Sequence, residues 1–414
     1  MTVSRVEKQI LKASNPFYMM LKDFCHRSKN LYNHANYSIR QSFFNTGSIP
    51  SYNELDRLLK NDAAYPDYKN MPTAQAAQQT LRGLSANWKA YFKALMAYAK
   101  NPSKFLGKPK PPKYLKPEGY YVLTVTNQNC KLKAGMIRFP KCFNGFELRF
   151  KNANRVDFHS FQQVRIFVEA THICVEIVYN IVTLDVKADN GRCVGIDLGV
   201  NNLAAVSNTF HERVFLINGK PLKSMNQYYN KRRAEMKSQL ERKTGKHSSK
   251  RLRRFDAKRN AKVNDYLHKA SRQIVNWCVE HDVSRIIIGK NDGWKQEVEL
   301  GRNLQTRKQN NQNFCFIPHA RFIEMLMYKA SEYGIVVITT EESYTSGTSF
   351  IDDDLPVRVN WNNKRRAKRG EFITNSGMVV NADINAAYQM IRKVIPDFKW
   401  DRGCVLHPYA CSIK

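Results

Sequence analysis

Residues 193–206 read CVGIDLGVNNLAAV, two apolar stretches around a polar turn, and the first stretch contains an aspartate. This pattern predicts two adjacent buried strands joined by a tight turn. Asp197 lies between Ile196 and Leu198, and an ionised carboxylate in such a strand is unfavourable unless it is paired or bound to metal. The alternative is an ordinary aspartate that ends a strand beside a turn at Gly199. Either this aspartate caps a strand or it belongs to a metal site.

The order of the segments downstream favours the metal site. They are a basic helical region at 222–280, apolar strands at 285–289 and 335–338, a helix at 318–333 between those strands, and a final helix at 382–394. That final helix has Asp383 in its first turn. A strand hairpin that carries an aspartate, then helix, two strands and a last helix with an aspartate, is the layout of an RNase H-type nuclease.

Asp383 also has a simpler explanation. Asn381 is a good N-cap, and the helix dipole favours an acid in the first turn, so capping alone would account for an aspartate here. However, Ile384 and Ala387 define a predicted buried stripe that Asp383 borders, and the small residues of this helix allow it to approach a sheet closely. Both features suit a carboxylate directed at the end of a strand.

Two aspartates are too few for hydrolysis by two metal ions held about 4 Å apart, so a third acid is expected. In RNase H-type proteins this acid usually ends the fourth strand, but here that strand ends Gly289-Lys290, and Lys290 cannot bind a cation. The neighbouring strand ends with Glu341-Glu342, and adjacent strands lie only about 4.8 Å apart. The two glutamates face opposite sides of a strand, so one of them is expected to reach the site, unless both are ordinary exposed acids.

Charge indicates the partner. The chain has 67 Lys and Arg against 35 Asp and Glu, a formal net charge of +32. Such an excess repels itself and is offset when a polyanion supplies the counter-charge. Nucleic acid is therefore the predicted partner, and no membrane is expected because no long apolar run or anchored basic helix occurs. Nine cysteines without a C-x-x-C pair, and an amino terminus without a secretory signal, predict a cytoplasmic protein with reduced thiols.

Six motifs, in order along most of the chain, resemble the TnpB family of transposon-encoded RNA-guided endonucleases, which is related to the Fanzor proteins and the type V CRISPR effectors. They are LYNHANYSIRQSF, GKPKPPKYL, GIDLGVNNLAAV, RIIIGKNDGWKQ, EESYTS and NADINAAYQMIRK. The resemblance implies a multidomain α/β protein. Its parts would be an RNase H-like RuvC nuclease domain, a β-barrel wedge domain and a helical recognition lobe.

Changes of composition and periodicity along the sequence predict the bounds of these domains. The expected bounds are 1–15 for the first part of the wedge domain, 16–105 for the recognition lobe, 106–190 for the wedge barrel, 191–343 for the first part of the RuvC-like domain, 344–372 for a target-binding insertion, 373–395 for the last part of the RuvC-like domain, and 396–414 for a tail. The wedge segment begins with a proline-rich stretch at 107–117, which excludes helix, and continues with alternating strand patterns.

The resemblance also assigns the acids. By position, Asp197 corresponds to the first RuvC acid and Asp383 to the last. Glu342 corresponds to the relocated middle glutamate of one branch, because it directly precedes Ser-Tyr-Thr-Ser, and it is favoured over Glu341 for that reason. The expected cofactor is Mg²⁺ in a two-metal site. Relatives often carry a zinc ribbon in the insertion, but 344–370 contains neither Cys nor His, so no zinc is predicted.

Further residues are predicted to bind nucleic acid. They are Lys108, Lys110, Lys113 and Tyr114 in the proline-rich segment; Tyr52, Asn53, Gln75 and Gln79 in the recognition lobe; Lys231, Arg232, Arg251, Arg254 and Lys258 in the basic helices; Trp294 and Lys295 after the fourth strand; and Arg365, Arg366 and Arg369 in the insertion. For the recognition-lobe residues the alternative is ordinary helix surface. For the basic helices, a one-signed charge excess favours phosphate contact over a solvated face.

The predicted function is RNA-guided cleavage of double-stranded DNA beside a short adjacent motif, with guide RNA and target DNA as partners. A monomer in a bacterial-type cytoplasm, associated with the nucleoid, is expected. Three alternatives stay open: an RNA-guided repressor without cleavage, which Lys290 in place of an acid would support; a compact type V CRISPR effector; and an RNase H-fold recombinase that acts without RNA.

Overall fold

The structure is a computed structural model that describes residues 2–155, 160–290, 311–366, 368, 370–401, 403–404 and 406–413. The chain divides into two compact units at residue 182/183. The first unit contains strands β1 (Thr2–Leu11), β2 (Leu123–Thr126), β3 (Lys131–Lys133), β4 (Met136–Arg138), β5 (Glu147–Arg149), β6 (Phe161–Val168) and β7 (Ile173–Val182), and helices α1 (Tyr18–Thr46), α2 (Tyr52–Lys60) and α3 (Ala74–Lys100).

The helices of the first unit follow their local sequence signals. Ser51 and Glu54 form a reciprocal capping box that starts α2. Helices α1 and α3 pack together around a fully buried Trp88. The indole N–H of Trp88 donates to the Asn36 side-chain oxygen at 3.0 Å, so the polar end of this large ring is satisfied inside the core.

Two antiparallel sheets complete the first unit. The larger has the strand order β1-β7-β6-β2, and the smaller has the order β3-β4-β5. The amino-terminal strand pairs along its full length with β7, from Thr2 opposite Val182 to Leu11 opposite Ile173. Residues at the start of the chain thus join a sheet whose other strands lie more than 100 residues later in the sequence.

The second unit contains a six-stranded sheet, a two-stranded hairpin and four long helices among its described residues. Its elements are β8 (Cys193–Leu198), β9 (Asn202–Asn208), β10 (Phe215–Asn218), β11 (Arg285–Gly289), β12 (Val336–Thr340), β13 (Glu371–Ile373), β14 (Val379–Asn381), β15 (Tyr409–Cys411), α4 (Lys220–Thr244), α5 (Lys250–Glu280), α6 (His319–Ser331) and α7 (Ala382–Val394). The sheet order is β12-β11-β8-β9-β10-β15. Strands β8 and β9 are antiparallel, whereas β11 and β12 run parallel to β8, so β8, β11 and β12 end at the same edge.

Helix α7 packs directly on this sheet. A side chain at Gly195 of β8 would place its Cβ 2.1 Å from the carbonyl oxygen of Ala387, so only glycine permits this approach. Helices α5 and α6 belong to a separate apolar cluster with Ile286 and Ile288, whereas Ile287 packs with α7. Alternate residues of β11 therefore face the two helical layers, as strand geometry requires. The close packing of α7 brings its first turn to the strand ends.

The mixed α/β class predicted from the sequence is confirmed. The strand at 285–289 and the helix at 382–394 have the predicted bounds, whereas the basic region predicted at 222–280 is two helices separated at Gly245, which has a positive φ of 64°. None of the described helices is long and apolar enough to cross a membrane. All nine cysteines are free thiols. The domain bounds within each unit stay predictions.

Candidate active site

Three carboxylate side chains meet at the edge where β8, β11 and β12 end. Asp197 is the penultimate residue of β8, Asp383 lies in the first turn of α7, and Glu342 follows β12 by two residues. The charges of both Asp383 and Glu342 act on Asp197. The structure therefore brings together the three acids that the sequence singled out, although Asp197 precedes the other two by more than 140 residues.

Asp197 has the most perturbed environment of the three. Burial raises the pKa of its carboxyl group well above the usual range, and the neighbouring charges of Asp383 and Glu342 raise it further. Arg366 acts in the opposite direction. The cluster thus repels itself when all three acids are ionised, which is the expected condition of a site that holds a cation.

Asp383 is fixed by its neighbours. The Asn381 side chain accepts hydrogen bonds from the backbone N–H groups of Asp383 and Ile384, which caps α7. The Asn202 side-chain amide donates to Oδ2 of Asp383 at 2.7 Å, and the Arg366 guanidinium lies 4.0 Å from Oδ1. One carboxylate oxygen is thereby oriented from β9, and the other faces a cation of the insertion.

Glu342 and Glu341 differ sharply. Burial raises the pKa of Glu342 to about 7, against the opposing effect of Lys393. Glu341 is exposed, accepts a hydrogen bond from the Ser343 hydroxyl and lies 3.7 Å from the Lys393 ammonium. Only Glu342 acts electrostatically on Asp197. Of the two glutamates that the residues alone left open, the geometry favours Glu342.

The donor set suits a hard divalent cation. Mg²⁺ prefers carboxylate oxygens and keeps several waters, and three acids at one partly buried strand edge offer such ligands without filling the coordination shell. The raised pKa values of Asp197 and Glu342 mean that the cluster gains stability when positive charge is added. Asp197, Glu342 and Asp383 therefore fit a site for a divalent metal ion.

Sequence reasoning missed two parts of this arrangement. Asn202 was part of the predicted turn, and its hydrogen bond to Asp383 depends on the hairpin folding back beside α7. Arg366 was expected to bind phosphate, and the structure places its guanidinium 4.0 Å from the Asp383 carboxylate, a position that the sequence did not indicate. Nothing local marks Arg366 among the five cations at 364–369, so sequence alone could not select it.

The other cations of segment 344–372 differ in whether they already pair with an acid of the protein. Arg365 already pairs with Asp354 and lies 3.8 Å from Asp352. Lys364 and Lys368 are exposed. The predicted contacts of Arg369, Trp294 and Lys295 lie outside the described residues.

The proline-rich segment of the first unit is held through its backbone. Asn36 and Arg40 of α1 donate to the Pro112 carbonyl at 3.1 and 2.8 Å. The Asn33 side chain donates to the Leu115 carbonyl and accepts a hydrogen bond from the Leu115 backbone N–H. The predicted contact residues Lys108, Lys110, Lys113 and Tyr114 are all exposed. A fixed backbone with outward cations loses little entropy on binding a polyanion.

The recognition-lobe predictions have mixed surroundings. Asn53 is exposed, Gln79 is half-buried, and the Tyr52 ring lies 5.0 Å from the Arg82 guanidinium. Gln75 donates to the Thr126 hydroxyl and, at 2.8 Å, to the Gln128 side chain. The side chain of Gln75 is thus already engaged within the first unit.

The basic helices present a nearly uniform charge. Helix α4 carries eight Lys and Arg against two Glu. The five predicted contact residues of the two helices are exposed, namely Lys231, Arg232, Arg251, Arg254 and Lys258. Arg232 pairs with Glu235, whereas Arg233 pairs with Asp256 of α5 and helps to join the two helices.

A second group of possible metal ligands lies near the carboxyl terminus. Atoms of His211, Asp401 and Cys404 lie within 4.8 Å of one another. Nε2 of His211 lies 3.2 Å from one carboxylate oxygen of Asp401, and the other oxygen of Asp401 accepts hydrogen bonds from the backbone N–H groups of Gly403 and Cys404. These contacts are typical of a turn whose aspartate accepts hydrogen bonds from the backbone that follows it. The absence of zinc stays a prediction.

Comparison with known proteins finds two family models and several solved structures that are similar to this chain. Residues 172–295 match a family model described as OrfB of IS605, a probable transposase, and residues 319–390 match the Cas12f1-like TNB domain. A cryo-EM structure of a Cas12f1 complex with single-guide RNA and target DNA is 13% identical, over 91% of this chain and 82% of that chain, with a TM-score of 0.55. The RNA-guided endonuclease Cas-phi3 is 10% identical over 98% and 94% of the two chains, with a TM-score of 0.46. No curated sequence matches. The resemblance to the TnpB family is confirmed by the two family models.

Proposed function

We propose that this chain, a protein of the TnpB and Cas12f type, is an RNA-guided endonuclease that cuts double-stranded DNA by Mg²⁺-dependent phosphodiester hydrolysis. The observation that carries the proposal is the convergence of Asp197, Glu342 and Asp383 at one strand edge. A purely binding protein gains nothing from three mutually repelling acids in a partly buried place. Guide RNA and target DNA are the proposed partners, the protein acts as a monomer, and the proposed location is the bacterial cytoplasm near the nucleoid.

The residues of the site divide the work. Asp197, Glu342 and Asp383 would hold two Mg²⁺ ions, which supply an activated water and stabilise the leaving oxygen. Asn202 orients Asp383 by its hydrogen bond at 2.7 Å. Arg366, 4.0 Å from the same carboxylate, offsets negative charge at the cluster and provides a cation for the scissile phosphate.

The experiment that tests the function starts from protein purified with its cellular RNA. Sequencing that RNA defines the guide, and a DNA library that carries the matching target with randomised flanks tests cleavage with Mg²⁺ or with EDTA. We expect a long structured RNA and cuts that require both Mg²⁺ and guide complementarity. Protein free of such RNA would support the recombinase alternative. Tight guide-dependent binding without product at any Mg²⁺ concentration would support the repressor.

Metal binding should stabilise the protein in a pH-dependent way. Folding raises the pKa of Glu342 from 4.5 to about 7, so the folded state binds this proton more tightly than the unfolded state. Without metal, the contribution of Glu342 to the free energy of unfolding therefore falls as pH rises from 4.5 to about 7. Mg²⁺ requires the deprotonated acid, so it should raise the melting temperature more above pH 7 than below pH 5. Glu342→Gln should remove most of this difference, measured by calorimetry.

The basic helices should govern nucleic-acid affinity without sequence preference. Replacing Arg251, Arg254 and Lys258 of α5 by alanine should weaken RNA binding and reduce the slope of log K against log salt by about 0.7 for each lost contact to single strands. Lys269→Ala is the matched control, since this cation on the same helix already lies 2.9 Å from Asp265. Filter binding at several salt concentrations measures both quantities. An unchanged slope in the triple variant would contradict phosphate contact by this helix.

A further inference from the structure

Gly289 is the last residue of β11, the strand between β8 and β12. The register pairs Ile287 with Gly195 and Ile288 with Ile196, so the next position sets Gly289 level with Asp197. A Cβ at Gly289 would lie 2.7 Å from the Met390 methyl group of α7, which shows that this position faces α7. Gly289 thus lies on the same face of the sheet as Asp197.

The space beside Gly289 is filled by Glu342. A Cβ at position 289 would lie 2.4 Å from Cγ of Glu342 and 2.7 Å from its Oε1. These distances are shorter than the non-bonded contacts that Cβ atoms make in proteins, so the glutamate occupies the place where a side chain of residue 289 would begin. The absence of that side chain is what leaves room for the carboxylate.

The order of the strands explains why this space is needed. Glu342 comes from the β12 side and Asp197 from β8, so two strand spacings of about 4.8 Å each separate them. The side chain of Glu342 must cross the end of β11 to act on Asp197. Any residue larger than glycine at position 289 stands in that path.

Lys290 does not occupy the place of the missing acid. Its backbone N–H still bonds to the Thr340 carbonyl at 2.7 Å, so the strand geometry continues to this residue. Alternation therefore directs Lys290 to the face opposite Gly289, and it is exposed. The position from which an acid of β11 would point at Asp197 is 289.

We propose that Gly289 is a positioning residue for Glu342, and that positions 289 and 342 share one carboxylate volume, which an acid can fill from either strand. The catalytic consequence rests on the proposed function, whereas the packing relation does not.

A double-mutant cycle tests the packing in metal-free protein. Gly289→Ala should lower the melting temperature more when Glu342 is present than in the Glu342→Ala background, because the second change removes the clash with the glutamate. Met390 remains in both backgrounds and serves as the internal reference. Gly107→Ala is the control for the substitution itself, since nothing lies within 4 Å of a Cβ there. Equal losses in both backgrounds would overturn the proposal, whatever the protein cuts.

A transplanted acid tests the shared volume. In the Glu342→Ala background, an added Gly289→Asp substitution should restore Mn²⁺ binding. Calorimetry and the EPR signal of the free ion measure that binding. A Cβ at position 289 would lie 2.7 Å from the place of the Glu342 Oε1 atom. In an aspartate, the carboxylate oxygens are two bonds from Cβ and therefore lie at about this distance from it. Lys290→Asp in the same background is the control: it places the same carboxylate one residue away on the opposite face and lowers the net charge by two instead of one. It should restore nothing.

The outcomes separate the two proposals. Mn²⁺ binding restored by Gly289→Asp but not by Lys290→Asp supports the shared volume, and recovery of guided DNA cleavage at least tenfold above Glu342→Ala extends it to catalysis. Restoration by Lys290→Asp, or by neither variant, overturns it. If the packing cycle and the metal binding behave as expected and no variant cuts DNA, including the wild type, then the proposed function fails and the positioning role stands.

Discussion

Asp197→Ala should abolish guided DNA cleavage while leaving guide binding intact. Asp197 lies at the centre of the acid cluster, where both Asp383 and Glu342 act on it, so its loss removes the ligand shared by the whole site. Removal of a single stabilising donor from a catalytic site already costs about 10²–10³-fold in rate, and loss of a central metal ligand should cost at least as much. Single-turnover cleavage of a matched DNA, beside a binding assay on the same DNA, measures the two effects separately.

The fold should survive this change. Burial and repulsion both oppose ionisation of Asp197, so its replacement removes an unfavourable charge from the metal-free protein. We expect an equal or higher melting temperature without Mg²⁺ and a smaller rise when Mg²⁺ is added. Glu324→Ala, which removes an exposed acid from α6, is the control and should cut normally. Cleavage within tenfold of wild type in Asp197→Ala would remove this residue from the site.

Glu342→Gln should abolish cleavage, whereas Glu341→Gln should leave it near the wild-type rate. The substitution keeps the size of the side chain and removes a charge, so it tests metal binding rather than packing. Glu342 is partly buried against Gly289 with a pKa raised to about 7, and Glu341 is exposed beside Lys393. An ion pair at 3.7 Å in which the acid is exposed contributes about 0–1 kcal/mol, so its loss should have little effect on stability.

The pair of variants makes the assignment decisive. Each removes one carboxylate from adjacent positions with the same net charge change, so effects of overall charge on nucleic-acid binding cancel. A dead Glu341→Gln beside an active Glu342→Gln would reverse the assignment. Two active variants would mean that two aspartates suffice or that another acid completes the site.

Much of this site could be read from the chain because local rules govern its parts. The apolar run around Asp197 predicted a buried strand, and the Asn381 cap followed by an apolar stripe predicted the helix that carries Asp383. Both elements have the expected bounds within a few residues, because strand burial and helix capping depend on neighbours in sequence. The choice of Glu342 over Glu341 came from the resemblance, because Glu342 directly precedes the Ser-Tyr-Thr-Ser motif. The residues alone did not distinguish the two glutamates.

Other features depend on contacts between distant segments. The sequence suggested that Lys290 replaced an acid, whereas the register of β11 with β8 shows that position 289 faces the cluster. Arg365 and Arg366 are neighbours with the same side chain, yet one pairs with Asp354 and the other lies beside Asp383. No local pattern separates such neighbours, because the difference arises from which segment packs against each.

The sequence by itself determined the aspartate in an apolar strand, the acid at the start of the last helix and the charge excess that selects a polyanion. Composition and short-range periodicity are sufficient for these. Only the tertiary structure decided which glutamate joins Asp197, that Asn202 orients Asp383, and that a glycine between the two strands leaves the path for Glu342. Those facts depend on strand order, register and the close packing of α7, which are set when the whole sheet assembles.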